Sequence, residues 1–155
     1  MRFEGKLTRD GRYWLAEVPL FDAMSQGRTR KEALEMIADW FETLIDRGDF
    51  TAEVHSTGNR FEIGGSDTAA MIALLLRRRR QATGASLSEI ASRLGVASRN
   101  AYARYERGNA VPTVEKLDDL LRATAPGGEL VLRDAHRRRS PNSRSRKRNR
   151  LRKSR

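Results

Sequence analysis

The chain has 155 residues, with 31 Lys or Arg against 20 Asp or Glu, a formal net charge of +11 and no cysteine. That length holds one ordinary domain or two small ones. The missing cysteine excludes disulfides and thiolate metal sites, and His55 and His136 lie far apart with no metal-ligand pattern around either. No apolar run approaches the ~20 residues that span a bilayer, and the opening MRFEGKLTRDG has no apolar signal core. The expectation is a cytoplasmic protein with no metal and no cofactor.

The placement of the charge says more than its total. Residues 136–155 hold eleven of the 31 bases and no acid, so residues 1–135 carry twenty bases against twenty acids. Residues 1–68 have nine bases and thirteen acids, net −4, and residues 69–135 have eleven and seven, net +4. An acidic front, a basic middle and a very basic tail suggest three different partners or roles.

In chain order, residues 2–8 and 12–18 read as strands turning at Arg9-Asp10-Gly11, Asp-Gly being a strong hairpin signal. Pro19 ends the second strand, and residues 22–27 give a short third. Residues 30–46 form the clearest helix. Thr29 and Glu32 make the T-x-x-E pattern of a capping box. Ala33, Leu34, Ile37, Ala38, Phe41, Leu44 and Ile45 then repeat as one apolar stripe, and Gly48 stands where a left-handed cap is expected. Residues 51–56 and 60–64 read as a hairpin through Gly58-Asn59. The pattern β-β-β-α-β(-β) is a sheet with a helix on one face, assigned to residues 1–64. Residues 65–68 read as a flexible polar linker, in which Ser66 or Asp67 caps the next helix.

An all-α domain follows over 69–135, with helices at about 69–82, 87–93, 98–106 and 114–124 and a short strand at 129–133. The overall expectation is an α+β chain with a disordered tail at 136–155, too polar to bury a core. Within the second domain, Ser86 and Glu89 form another capping box, Gly95 breaks the helix it starts, and Val96 plugs the turn. Gly108 closes the next helix. Ala91 and Ala101 are small where the two helices touch. Two short helices joined by a glycine turn form the unit that inserts its second helix in the major groove. On that helix Tyr102 and Tyr105 are expected to face the core, and Arg99, Asn100, Ala103 and Arg104 to face outward. Arg pairs bidentately with guanine and Asn with adenine.

The stretch ASLSEIASRLGVASRNAYARYERGNAVPTVEKLDDLL resembles the XRE/Cro-repressor family of helix-turn-helix domains. The resemblance covers residues 69–124 and rests on Ala91, Leu94-Gly95-Val96, Glu106, Gly108, Pro112 and Leu117. It implies operator DNA as partner, binding as a homodimer or higher oligomer, and a structural pair between Arg80 and Glu106. The stretch from Gly95 to Glu106 is one residue longer than usual in the family. Leu87 stands where the family often has a phosphate-binding Gln, which passes that contact to Ser86 or Ser88. The expected DNA-binding residues are Ser86, Ser88, Ser98, Arg99, Asn100 and Arg104.

The front stretch DGRYWLAEVPLFDAMSQGRTRKEALEMIADWFETLID resembles the HicB antitoxin domain over residues 1–64. The resemblance rests on Asp10-Gly11, Tyr13, Val18-Pro19, Gln26-Gly27, Thr29 and Glu32-Ala33. Phe21-Asp22-Ala23 departs from the Gly-rich loop usual there. The resemblance implies a fold like a trimmed ribonuclease H sheet. It implies the antitoxin of a type II toxin–antitoxin pair, one that neutralises a small basic, mRNA-cleaving HicA-like toxin and represses its own operon. The alternative is a stand-alone XRE-family regulator without a toxin. A nuclease needs several carboxylates converging on metals. Asp10, Glu4, Glu17, Asp39, Glu42 and Asp46 do not cluster in the pattern, so no catalytic residue and no enzyme are expected.

The tail RRRSPNSRSRKRNRLRKSR has no aromatic interleaving, which leaves backbone neutralisation as its nucleic-acid chemistry. Deleting residues 137–155 is therefore expected to lower affinity for all DNA alike and to flatten log K against log salt. An unchanged slope would show that the tail does not touch phosphate.

Overall fold

The computed structural model describes residues 1–127 together with 131 and 133. Strands β1 (Arg2–Asp10) and β2 (Tyr13–Val18) pair antiparallel, with Leu7 opposite Ala16 and Arg9 opposite Trp14. Phe3, Gly5 and Leu7 point one way into the core, and Glu4, Lys6 and Thr8 point the other way to solvent, the period-two alternation of a half-buried strand. Pro19 does more than end β2. It opens a 3₁₀ turn, Pro19–Phe21, that buries Phe21 completely, and Asp22 at φ 49° turns the chain into β3 (Ala23–Gly27).

Helix α1 (Arg30–Ile45) starts at Thr29, whose hydroxyl accepts from the Glu32 amide at 3.1 Å. The expected box closes differently: the Glu32 carboxylate accepts from the Arg28 amide at 2.7 Å, one residue before the cap. Ala33, Ile37 and Phe41 are fully buried against the sheet, while Leu34, Leu44 and Ile45 pack half-buried at its margin. The helix sits so close that a Cβ on Gly27 would overlap the Ala33 backbone nitrogen. The left-handed cap is Asp46 at φ 50°, not Gly48. The helix stops at Ile45, and Asp tolerates that conformation better than most side chains.

β4 (Ala52–Thr57) and β5 (Arg60–Gly65) form the second hairpin around Gly58, giving a fully antiparallel sheet in the order β3-β2-β1-β5-β4. Its face away from α1 carries cross-strand ion pairs, Lys6–Glu17 at 2.7 Å, Arg60–Glu4 at 3.2 Å and Arg2–Glu62 at 3.2 Å. Arg133 reaches that face too, bonding Glu62 at 3.1 Å.

Residues 65–68, expected to be flexible, are pinned. Gly65 belongs to β5, the Ser66 hydroxyl accepts from the Thr51 amide at 3.0 Å, and Asp67 pairs with Arg47 at 2.9 Å. Between the two expected caps, it is Asp67 that accepts from the Ala69 and Ala70 amides. α2 (Thr68–Ala82) then buries every residue from Ala70 to Leu76. α3 (Leu87–Arg93), α4 (Arg99–Glu106) and α5 (Val114–Thr124) follow close to their expected bounds. The fold is thus α+β, an antiparallel five-stranded sheet followed by helices. No helix of the described residues is long and apolar enough to cross a membrane. The strand expected at 129–133 falls mainly outside the described residues, and the tail 136–155 wholly so.

α2 is shared by both halves. Arg78 donates to the carbonyls of Phe21 and Asp22 and lies 5.5 Å over the Trp40 ring. By helical spacing, Met71, Leu74 and Leu75 occupy the same flank. Leu76 offers its carbonyl to Tyr102 of α4, and Arg80 grips Glu106. Buried residues from the sheet, α1, α2, α4 and α5 form one continuous cluster. Leu75→Ala is therefore expected to cost ~2–5 kcal/mol and to lower a single unfolding transition. The measurement is urea denaturation followed by tryptophan fluorescence, which reports the front half, and by helical circular dichroism. Separate midpoints for the two probes would contradict a shared core.

Candidate nucleic-acid interface

The geometry of α3 and α4 follows from two caps and one glycine. The Ser86 hydroxyl accepts from the Glu89 amide at 3.2 Å while the Glu89 carboxylate accepts from the Ser86 amide at 2.7 Å, a complete capping box. That backbone bond, and then the hydroxyl, hold the Glu89 carboxyl below its usual range. The box is thus intact above the ordinary carboxylate pKa and weakens as pH falls through the lowered value. α3 ends where Gly95 takes φ 66° and the Val96 amide returns to the Ala91 carbonyl at 3.0 Å. A residue with a Cβ is disfavoured there, and the reversal sends the chain into α4. Ala91 is buried beneath the junction, and Val96 and Ala101 are half-buried.

Ser98 caps α4 by accepting from the Asn100 amide at 3.2 Å. Tyr102 is wholly buried with its hydroxyl 3.5 Å from the Leu76 carbonyl. Burial, and then its hydrogen bond with Glu106, push the phenol pKa up. Two expectations for the faces of α4 change. Ala103 is 2% exposed rather than outward, lining the same cleft as Ala70 and Ala73 of α2. The inner face of α4 spans 102, 103 and 106, and close approach to α2 demands a small residue at 103. Tyr105 is only half-buried, its ring lying 5.4 Å from the Arg104 guanidinium.

The outward stripe is then Arg99, Asn100, Arg104 and Arg107, all exposed. Ser86 and Ser88, expected phosphate contacts, are exposed at the start of α3, and Ser98 is exposed at the start of α4. Ser86 and Ser98 use their oxygens as cap acceptors, which leaves their hydroxyl hydrogens free to donate outward. Arg107, at the end of the stripe, escaped the sequence reading because it lies past the last periodic residue.

Glu106 takes no part in that stripe. Arg80 clamps it with a fork, Nε to Oε1 at 2.7 Å and a second guanidinium nitrogen to Oε2 at 2.9 Å, the side chains being 18% and 7% exposed. The pairing is the one implied by the resemblance. The bond to Glu106 raises the Arg80 pKa against the opposing effect of burial, and Arg80 also caps the Ala85 carbonyl at 3.1 Å. Neighbouring arginines fix the rest of the framework. Arg77 donates to the Leu44 carbonyl at 2.7 Å, and Arg93 of α3 to the Ala123 carbonyl of α5 at 3.0 Å. These clamps onto backbone carbonyls escaped the sequence, unlike the Arg80–Glu106 pair. Among the described residues no group of three His, Asp or Glu is placed to hold a metal.

Two short helices at a glycine turn, with a capped, base-bearing second helix exposed along one stripe, constitute a helix-turn-helix, a DNA-binding unit. A family model described as a helix-turn-helix domain matches residues 72–133. No curated protein matches the chain.

Removing one partner of the Arg80–Glu106 pair strands a largely buried charge. Glu106→Ala is therefore expected to cost on the order of 3 kcal/mol, whereas Asp118→Ala, breaking the exposed Arg122–Asp118 pair, should cost well under 1 kcal/mol. Urea midpoints of the two variants check this, and equal losses would contradict the assigned role of the fork.

Proposed function

We propose that the chain is a transcription regulator that reads an operator as a dimer, with α4 in the major groove. The observation that carries this reading is that Arg99, Asn100 and Arg104 share the free face of α4 while Glu106 is consumed by Arg80. Arg99 and Arg104 suit guanine edges and Asn100 an adenine edge. Ser86, Ser88 and Ser98, at helix N-termini, suit phosphate oxygens. In this reading the protein is cytoplasmic, has no catalytic residue, and needs no cofactor. Asn100→Ala or Arg104→Ala should cost ~1–3 kcal/mol on the cognate duplex and little on random DNA. Competition binding at fixed salt measures both, and equal losses on the two duplexes would sink base reading.

The finer reading is an antitoxin that represses its own operon, with residues 1–64 as partner module, 65–68 as junction and 69–135 as DNA module. Its support is the HicB-like pattern on a β-β-β-α-β-β layout, the net −4 of residues 1–68, and the exposed Glu32, Glu35 and Asp39 on the outer side of α1. Acidic complementarity steers a cationic partner such as a small basic toxin. The alternative, a regulator without a toxin, shares the DNA chemistry and differs in the front half alone. Co-expression of the full chain with any small basic protein encoded beside it decides between them. Restored growth supports the antitoxin, and a folded chain that neither binds nor protects leaves the regulator.

A further inference from the structure

The acidic balance of the front half hides a local reversal of sign. One end of the sheet gathers Arg9, Arg12, Arg28, Arg30 and Lys31, five of the nine bases in residues 1–68. The register explains why. Arg9 lies opposite Trp14, and Trp14 opposite Gly27, so the three form a row across β1, β2 and β3 on the helix side of the sheet. The first turn of α1 passes above this row. Arg30 lies 4.9 Å over the Trp14 ring and Arg9 lies 5.8 Å from it. Arg30 is held there by Asn59 at 3.2 Å and by the Gly58 carbonyl, both on the β4–β5 turn. Gly27 lets the first turn of α1 close down beside the indole, which stays half-buried, and Arg12 and Arg28 flank it exposed. Against these five bases stand Asp10, Glu32, which accepts from the Arg28 amide, and Glu35, paired with Lys31, so this end keeps an excess of two positive charges.

We infer that this shelf binds a single-stranded nucleic acid, one base stacking against the Trp14–Arg30 layer and the adjoining phosphates meeting Arg12 and Arg28. Stacking on an aromatic ring beside guanidinium groups is the chemistry by which proteins hold unpaired strands without sequence preference. A duplex hides its bases from a flat ring at a sheet end, so the shelf favours a strand. It is also remote from the operator-reading face. α1 runs 16 residues, about 24 Å at 1.5 Å per residue, from the shelf to the end where Leu44 meets Arg77 of α2. The shelf is therefore a second nucleic-acid contact, and it does not rest on the operator reading.

The test uses the full chain with two probes, a 12-nucleotide oligouridylate and an oligothymidylate of equal length, each carrying a photoreactive iodinated base. Crosslinks to the peptides containing Trp14 or Arg28 are expected, from whichever strand is the source, RNA or DNA. Arg12→Ala/Arg28→Ala, at two exposed positions that leave the core untouched, should weaken single-strand binding roughly tenfold. It should also reduce the slope of log K against log salt by about 1.4, two phosphate contacts at ~0.7 each, while duplex binding holds. Crosslinks confined to residues 86–107 and 136–155 would overturn the proposal, as would unchanged single-strand affinity in the double variant or an equal loss on duplex.

Discussion

The structure depends on the burial of α2 on both of its flanks. Seven consecutive residues, Ala70 to Leu76, are buried, so no side of that segment of the helix faces water, and a helix apolar all round must lie inside a core. The sheet and α1 cover one flank, and α4 and α5 cover the other. Neither half alone supplies enough surface. At a buried Leu or Ile, each side chain removed from water contributes about 1.5–3 kcal/mol, and five of the seven are Met, Ile or Leu.

The same helix changes character at Arg77. From there three of four consecutive arginines clamp the elements that its apolar half has gathered: Arg77 takes α1, Arg78 the 3₁₀ turn, and Arg80 the end of α4. Arg79 is the exception. Its Nε is buried without a partner among the described residues, and burial lowers its pKa. Charged-group hydrogen bonds are short and directional, so the Arg80 fork sets the angle of α4 relative to α2. The exposed stripe of Arg99, Asn100 and Arg104 inherits its orientation from that angle. A fork that keeps Glu106 inward also leaves the outward stripe of α4, residues 99 to 107, without an acid that would repel phosphate.

Charge is thus distributed on a finer scale than the whole-chain total suggests. The outer side of α1 is acidic from Glu32 to Asp39, while its N-terminal end joins a basic shelf around Trp14. The open face of the sheet is a lattice of opposite charges in cross-strand pairs. Fields of that kind fall off within about 8–10 Å at physiological salt. Neighbouring surfaces of one small domain therefore present opposite signs, and net charges of residue blocks are poor guides to any one surface.

The sequence by itself determined the elements and most of their ends. Period-two and period-3.6 patterns, Asp-Gly at the first turn, Thr29, Ser86 and Gly95 are local signals, and local signals act through the backbone of a few residues. It also determined the helix-turn-helix, because its caps and glycine turn stand at fixed spacing, while the Arg80–Glu106 pair was implied by the resemblance to the XRE/Cro family. What tertiary structure decided was everything that depends on what lies across the gap. Ala103 reads as an outward residue by helical position until α2 packs against it. Gly48 reads as a cap until Asp46 ends the helix two residues earlier. The junction at 65–68 reads as flexible because Gly and Ser are flexible locally, yet Thr51 and Arg47, distant in sequence, pin it. Arg77 and Arg78 read as bare charge because their partners are backbone carbonyls, which every residue has and no sequence marks.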